Sequence, residues 1–425
     1  MSVFANLSSE QMPPERKFCM PNYRNILVAS YYFPPFAGIS GMRATKFCKY
    51  LPKNGWRPTV LTVDPRYYRG KALSELPQEV ERMEVRRIRF LKFPGSTLFV
   101  KLLYPLYVCY QAYRERRRFD VVYLCGSPFH PFVSTAFITR VLGIPSVLDF
   151  RDFWSLYDGY DSHVSSPRAR SLSFRVERLI KQSIEWVGIR YATKVVFASR
   201  VLKEDYAATF PAYQHKFQTI NNGYDPEDFA EVEPRKVTAL PKTIVLAGKF
   251  LEYTPVAATL FLTVLREFPE ACFLYVGAEH QEVAELAAQL NMSSQVTSLG
   301  FMHYNRVLDL IAGADYGLVT NGVIYGMGTK IFDYLALGKP SLCLVPKDSI
   351  IAHEFGSNPR VTICETPHTE ERIRVSLRRL FDSKASAADA VVDGYSRADL
   401  TRKLAQVLQS AFADTDTETG QCLSR

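Results

Sequence analysis

The chain has 425 residues, 47% apolar and 22% charged, with a formal net charge of +9. That length exceeds one ordinary core and predicts two domains, and the composition excludes a disordered chain. The eight cysteines are scattered with no C-x-x-C pair and no Cys/His cluster, which excludes a zinc site and a disulfide framework and points to a reducing, cytoplasmic setting.

The first twenty residues lack a basic region followed by a long apolar run, so no signal peptide is expected. From Asn25 onward, apolar runs of strand length alternate with helix-length segments. "NILVAS" leads through "YYFPPFAGISGM" into the helical "ATKFCKYLPKN". The strands "RPTVLTV" and "VRRIRF" follow, then a helix to Arg118, then "DVVYLC", a helix from Pro131, and "PSVLDF". A long helix over "FRVERLIKQSIEWVGIRYA" leads to "KVVFAS", a short helix and "FQTINNG". Apolar strands alternating with helices predict a parallel sheet buried on both faces, an α/β fold.

The alternation breaks over "YDPEDFAEVEPRKVTALPK", with three prolines and a charge cluster, which reads as a linker. It restarts with "TIVLAG", "CFLYVG", "QVTSLG", "YGLVTN", "PSLCLV" and "VTICE", each followed by a helical segment. Two doubly wound, Rossmann-like domains facing across a cleft are therefore predicted, with ligands at the C-terminal strand ends. The expected divisions are a flexible leader over 1–21, an N-terminal domain with linker over 22–238, and a C-terminal domain over 239–395. A helix crossing back over 396–411 and a disordered tail over 412–425 complete the chain.

Four segments carry chemistry. In the first turn, Pro34 and Pro35 direct the chain out of the strand, and Gly38 and Gly41 permit close backbone approach to an anion. A helix starting near Met42 adds its positive end, and Arg43 adds a full charge. In the second half, "YGMGTKIFDYLALGKP" places Gly328, Thr329 and Lys330 at a helix start and Asp333 one turn further, suited to phosphate and ribose hydroxyls. Lys249, past "TIVLAG", lies where it can neutralise a leaving phosphate. "VLDFRDFWS" ends a buried strand with Asp149, Arg151, Asp152 and Trp154, and His130 sits in the turn "GSPFHPF". Neither a G-x-G-x-x-G fingerprint nor a P-loop is present: the Gly-Lys pairs are followed by Ala, Phe and Pro.

The order and spacing of these motifs, together with "INNGYDPEDF", "SLGFMHYNRVLDLIAGADYGLV" and "YSRADLTRKLAQVL", resemble the family-4 glycosyltransferases of the GT-B fold, over roughly 25–408. The resemblance implies retaining transfer of a sugar from a nucleotide-sugar donor to a hydroxyl, with no metal and no separate cofactor, in the manner of the bacterial surface-polysaccharide branch. It implies a donor on the second domain, bound by Lys249, Gly328, Thr329, Lys330 and Asp333, with Gly38, Gly41 and Arg43 closing from the first. Arg151, Asp152 and Lys249 are the candidate catalytic residues, and His130, Asp149 and Trp154 the acceptor-side candidates. The chain departs from the family pattern at Tyr325, where an acid eight positions before Asp333 is usual, and at Arg151, where a histidine is usual. A nucleotide-sugar 2-epimerase and a non-catalytic binding or scaffold protein are the alternatives.

The stretch from Glu81 to Asp120 is rich in Lys and Arg, and "LFVKLLYPLYVCY" within it is too short to span a bilayer. A solvated basic face and a contact with anionic lipid are the two readings. The second would suit a lipid-linked acceptor at the inner membrane face. No nucleic-acid recognition motif accompanies the basic run, and no nucleic-acid partner is expected.

Overall fold

The structure is a computed structural model that describes residues 23–36, 39–68, 77–89, 96–156, 172–252, 254–327, 329–383 and 394–422. Among these, the first half contains β1 (Arg24–Ser30), α1 (Ile39–Tyr50), β2 (Trp56–Val63), α2 (Gln78–Glu81), β3 (Glu84–Ile88), α3 (Ser96–Arg114) and β4 (Val121–Cys125). It continues with α4 (Thr135–Arg140), β5 (Ser146–Phe150), α5 (Leu172–Tyr191), β6 (Lys194–Phe197), α6 (Arg200–Thr209) and β7 (Phe217–Thr219). These strands form one sheet in the order β3-β2-β1-β4-β5-β6-β7, every pair parallel.

The second half contains β8 (Lys242–Ala247), α7 (Pro255–Leu265), β9 (Ala271–Val276), α8 (His280–Gln289), β10 (Val296–Leu299), α9 (Tyr304–Gly313) and β11 (Tyr316–Thr320). It ends with α10 (Lys330–Ala336), β12 (Ser341–Val345), α11 (Ile350–Phe355), β13 (Val361–Glu365), α12 (Glu370–Phe381) and α13 (Arg397–Cys422). Its sheet runs β10-β9-β8-β11-β12-β13, again parallel throughout. The chain is thus an α/β protein of two doubly wound sheets, as its apolar runs imply.

The period of two along a strand explains the cores. In β1, Leu27 and Ala29 join one buried cluster with Leu124, Leu148 and Val195, while Ile26 and Val28 point to the other face. That second face is closed by α13, whose Leu400, Leu404 and Leu408 pack against it after the chain has left the second sheet. Parallel strands need cover on both sides, and here the last helix returns to supply it.

Two local expectations change. α1 begins at Ile39, not near Met42, so Gly41 lies inside the helix. A Cβ at Gly41 would stand 3.2 Å from the Phe33 Cα and 3.3 Å from the Tyr32 oxygen. Gly41 therefore lets the first turn of α1 press on the end of the preceding loop. The residues expected as a disordered tail continue α13 as far as Cys422. Phe412 packs onto the core, with the Arg24 guanidinium 4.6 Å from its ring, and Asp414 pairs with Lys194 at 2.7 Å. No proline interrupts the segment, so the helix propagates beyond the contacts that anchor it.

Candidate functional site

In a doubly wound sheet the ligand crevice opens where strand order reverses direction, beyond the C-terminal strand ends. In the first sheet that point lies between β1 and β4, and in the second between β8 and β11. The loops leaving these four strands carry the proline-rich turn, "GSPFH", Lys249 and the segment before α10. All four motifs thus reach a switch point.

The loop after β1 is held by aromatic packing as well as by its prolines. Tyr32 stacks on Phe36 at 4.5 Å, and the Tyr68 hydroxyl donates to the Phe33 carbonyl at 3.3 Å. Arg87 reaches across from β3 to donate to the Pro34 carbonyl. Gly38 lies outside the described residues.

Arg43 does not face the cleft. It is 1% exposed and spends its donors inside the protein: Nε and Nη2 on the two oxygens of Asp149 at 2.8 and 3.0 Å, and the remainder on the Ile220 and Asn221 carbonyls and Asn222. Burial works against its charge, and the Asp149 carboxylate more than offsets that, so its pKa is raised. Asp149 is fully buried and also accepts from the Tyr123 hydroxyl at 2.7 Å. Both side chains are enclosed by the protein. The physical reason is position: Asp149 is inside β5, and α1 carries Arg43 across the strand ends to it.

Of the other residues of the β5 exit, Arg151 is nearly buried and Asp152 is open to solvent. Asp152 is exposed and pairs with Arg151 at 3.3 Å. Trp154 is half-buried, stacked on Phe129 at 5.4 Å, with the His130 ring edge-on at 5.3 Å. The structure therefore brings together His130 and Trp154 from two different loops. Burial holds the His130 pKa below its usual value, and the charges of Lys101 and Lys181 push the same way. It is thereby a neutral imidazole near pH 7, able to accept a proton.

This loop is positioned by Glu185, which the sequence reading passed over. Glu185 is fully buried on α5 and accepts from the Ser155 amide at 3.0 Å, the Ser155 hydroxyl and the Tyr206 hydroxyl at 2.6 Å. Its signal is an acid three positions before Gly188, on the face of α5 that the core covers.

On the second domain, Lys249 follows β8 with its side chain 47% exposed and paired with Glu252. The turn carrying it is fastened by Glu279, whose carboxylate accepts from the amides of Phe250, Leu251 and Glu252 at 2.6, 3.1 and 2.6 Å. Those amides are therefore already occupied, and an anion at this loop would meet Lys249 and not a free amide nest. Thr320, at the end of β11, donates to the Lys249 carbonyl at 3.1 Å and ties the two switch-point loops together.

At α10, Gly328 is outside the described residues and Thr329 is half-buried at the helix entrance. Asp333 is buried, with Oδ1 accepting from the Tyr304 hydroxyl at 2.8 Å and Oδ2 from Lys330 at 3.2 Å. Lys330 also lies over the Tyr304 ring at 4.9 Å. Burial first, and then the Asp333 charge, raise the Tyr304 pKa, so it stays a donor. Asp333, expected to meet ribose hydroxyls, is thereby the centre of a triad with Tyr304 and Lys330.

The two halves touch at Phe153 and Tyr325, whose rings meet edge to face at 4.1 Å. Tyr325 packs onto the core of the first domain although its chain belongs to the second. Asn221 donates to Glu354 across the same divide at 3.4 Å.

Residues 40–228 match the family model described as Glycosyltransferase Family 4. No curated protein matches the chain in sequence. Among solved structures it is similar to a glycosyltransferase from Rickettsia africae, with a TM-score of 0.62 and 16% identity over 92% of this chain and 99% of that one. It is similar to WaaG, a glycosyltransferase involved in lipopolysaccharide biosynthesis, with a TM-score of 0.63 and 16% identity over 90% and 99% of the two chains. Anabaena Alr3699/HepE in complex with UDP gives 0.56 and 16% over 94% and 99%. Two parallel sheets with paired switch points, like those of the similar solved structures, define the GT-B fold. Within that fold, the first domain is similar to Glycosyltransferase Family 4 over residues 40–228.

Proposed function

We propose that the protein is a retaining glycosyltransferase that moves a sugar from a nucleotide-sugar donor to a hydroxyl of a lipid-linked or polysaccharide acceptor, in surface polysaccharide or glycolipid synthesis. The observation that carries this reading is the convergence of Lys249 and Lys330 on one switch point and of His130 and Trp154 on the other. The structures of Anabaena Alr3699/HepE with UDP and with UDP-glucose support a nucleotide-sugar donor. In this reading, charge develops on the departing diphosphate. Lys249 and Lys330 stabilise it, so that fixed cations do the work otherwise asked of a metal. Trp154 offers an apolar ring for a sugar face, and neutral His130 beside it can take the acceptor hydroxyl proton. Arg151 and Asp152 line the same edge. Among the described residues no helix is long and apolar enough to cross a membrane.

A second reading, a binding or scaffold protein of the same fold, is favoured by one feature: Tyr325 stands in place of the usual acid and packs on Phe153. Nucleotide release from UDP-, GDP- and ADP-sugars separates the two. Release that requires Lys249 supports transfer, and absence of release with every donor and acceptor supports the scaffold.

A further inference from the structure

Lys330 stands where its own helix gives it little support. It is the first residue of α10, at the positive end of the helix, which disfavours a cation. A lysine side chain is also costly to order, because it gives up more rotamer freedom than most. Asp333 and Tyr304 hold it in place. Asp333, three residues on, accepts from Nζ through Oδ2 at 3.2 Å. The Tyr304 ring covers another side of the same Nζ, with its centroid 4.9 Å away, inside the range of a cation–π contact.

Tyr304 also governs the carboxylate. Its hydroxyl donates to Oδ1 at 2.8 Å, so the two oxygens of Asp333 serve Tyr304 and Lys330 separately. Pinned at Oδ1, the carboxylate cannot turn about its own bond and keeps Oδ2 toward the ammonium. Asp333 is only 5% exposed, which leaves little room for water to stand in for the phenol. Tyr304 is itself anchored: it opens α9 and packs on the buried cluster that Leu308 and Ile311 of α9 share with Ile331 and Leu335 of α10. An ammonium carries three N–H groups. Asp333 takes one and the ring covers a second side, yet the Lys330 side chain is still 28% exposed, so part of the charge is open to the crevice.

We propose that Tyr304 is a positioning residue for the leaving diphosphate: with its ring, and through Asp333, it fixes the Lys330 ammonium so that the open side of the charge meets phosphate. This rests on the reading of a nucleotide-sugar donor at Lys330 proposed above. A cation held in advance needs no ordering when the ligand binds and no reorganisation as charge develops on the leaving group. Tyr304 and Lys330 lie on different helices, after β10 and β11, and the shared core of α9 and α10 fixes one against the other. The support therefore comes from packing that is independent of the ligand.

The test is a double-mutant cycle on nucleotide affinity, read by calorimetry on the full chain with UDP, GDP and ADP and continued with the one that binds most tightly. Tyr304→Phe keeps the ring and loses the bond to Asp333, while Tyr304→Leu loses both. Lys330→Gln removes the charge but leaves Asp333 a donor. Lys330→Gln should weaken binding about tenfold or more, as expected for loss of a charge-assisted contact to phosphate. Tyr304→Phe should weaken it about threefold and Tyr304→Leu about tenfold. In the Lys330→Gln background, either Tyr304 variant should change affinity less than about twofold, because the ammonium that Tyr304 places is gone. A residue that only supports the fold would weaken both backgrounds by the same factor. Tyr304→Phe, which removes a single oxygen, keeps the cycle readable if Tyr304→Leu lowers the melting temperature. Equal factors in the two backgrounds, or wild-type affinity in both Tyr304 variants, overturns this inference alone. Wild-type affinity in Lys330→Gln, or no nucleotide bound by the wild type, overturns the donor reading and this inference with it.

Discussion

Arg43 and Asp149 meet as a two-point ion pair at the end of β5, with neither side chain in contact with solvent. Arg43 also binds the carbonyls that follow β7, so one guanidinium joins α1, β5 and the exit of β7. Breaking a buried pair leaves an uncompensated charge, at a cost of about 3–5 kcal/mol. Asp149→Asn is expected to lower the urea midpoint accordingly, and Arg43→Lys should fail to replace the fork of donors. A donor-site role would instead leave the midpoint intact and raise the donor KM.

Glu185 acts on the crevice through Ser155. Glu185→Ala removes the acceptor for a buried amide and two hydroxyls, and should cost about 1–3 kcal/mol in stability. It should also lower kcat/KM, because the loop holding Trp154 and Phe153 loses its support. Glu185→Gln keeps an acceptor oxygen and should restore a large part of kcat/KM. Equal loss of activity in both variants would contradict a positioning role.

Arg397 opens α13 as a second buried guanidinium. Burial first, and then the neighbouring charge of Arg43, hold its pKa down to about 9, and its Nη1 makes no hydrogen bond among the described residues. Replacement of a poorly compensated buried charge by an apolar side chain of similar length is neutral or stabilising. Arg397→Met is therefore expected to raise the melting temperature. A fall of several degrees would show that the guanidinium is well compensated in the folded protein.

Asp225 predicts acid behaviour. Burial alone would raise its pKa, but Lys46 at 2.8 Å, Lys49 at 2.6 Å and the Tyr50 hydroxyl at 2.5 Å bring it down to about 2. A depressed carboxylate stabilises the fold above its unfolded value of 3.8 and loses that contribution as pH falls toward about 2. The neighbouring Asp228 has the opposite shift, raised by burial, so the wild-type slope is a sum of both. Comparison with Asp225→Asn isolates the term: the difference in stability, about 2 kcal/mol near neutral pH, should vanish below about pH 2.

The strands and their alternation were legible because parallel strands buried on both faces are continuous apolar runs. "VVYLC" and "SLCLV" are buried from end to end. The positions of Lys249, His130 and Trp154 were legible because strand ends can be counted. What could not be read was which charges turn inward. Arg43 and Asp333 sit in the same kind of glycine-rich context as a phosphate ligand, yet Asp149 and Tyr304, distant in sequence, claim them. Glu185 and Glu279 were missed for the same reason, since a carboxylate that gathers backbone amides looks in sequence like any surface acid. The length of α13 was missed because its polar end has no apolar period, while Phe412 and Asp414 anchor the helix just before it.

The central claim is that a nucleotide-sugar is activated at Lys249 and Lys330. Both side chains are partly exposed, Lys249 pairing with the surface acid Glu252 and Lys330 with the buried Asp333, so removal of Lys249 should leave the fold intact. The most direct measurement is nucleotide release from a panel of UDP-, GDP- and ADP-sugars, with and without a lipid-linked acceptor, by the wild type and by Lys249→Ala. Wild-type release with at least one donor, falling about 10²-fold or more in kcat/KM in the variant at an unchanged melting temperature, is the predicted result. Wild-type release that Lys249→Ala leaves unaltered, or no release with any donor and acceptor, would contradict the account.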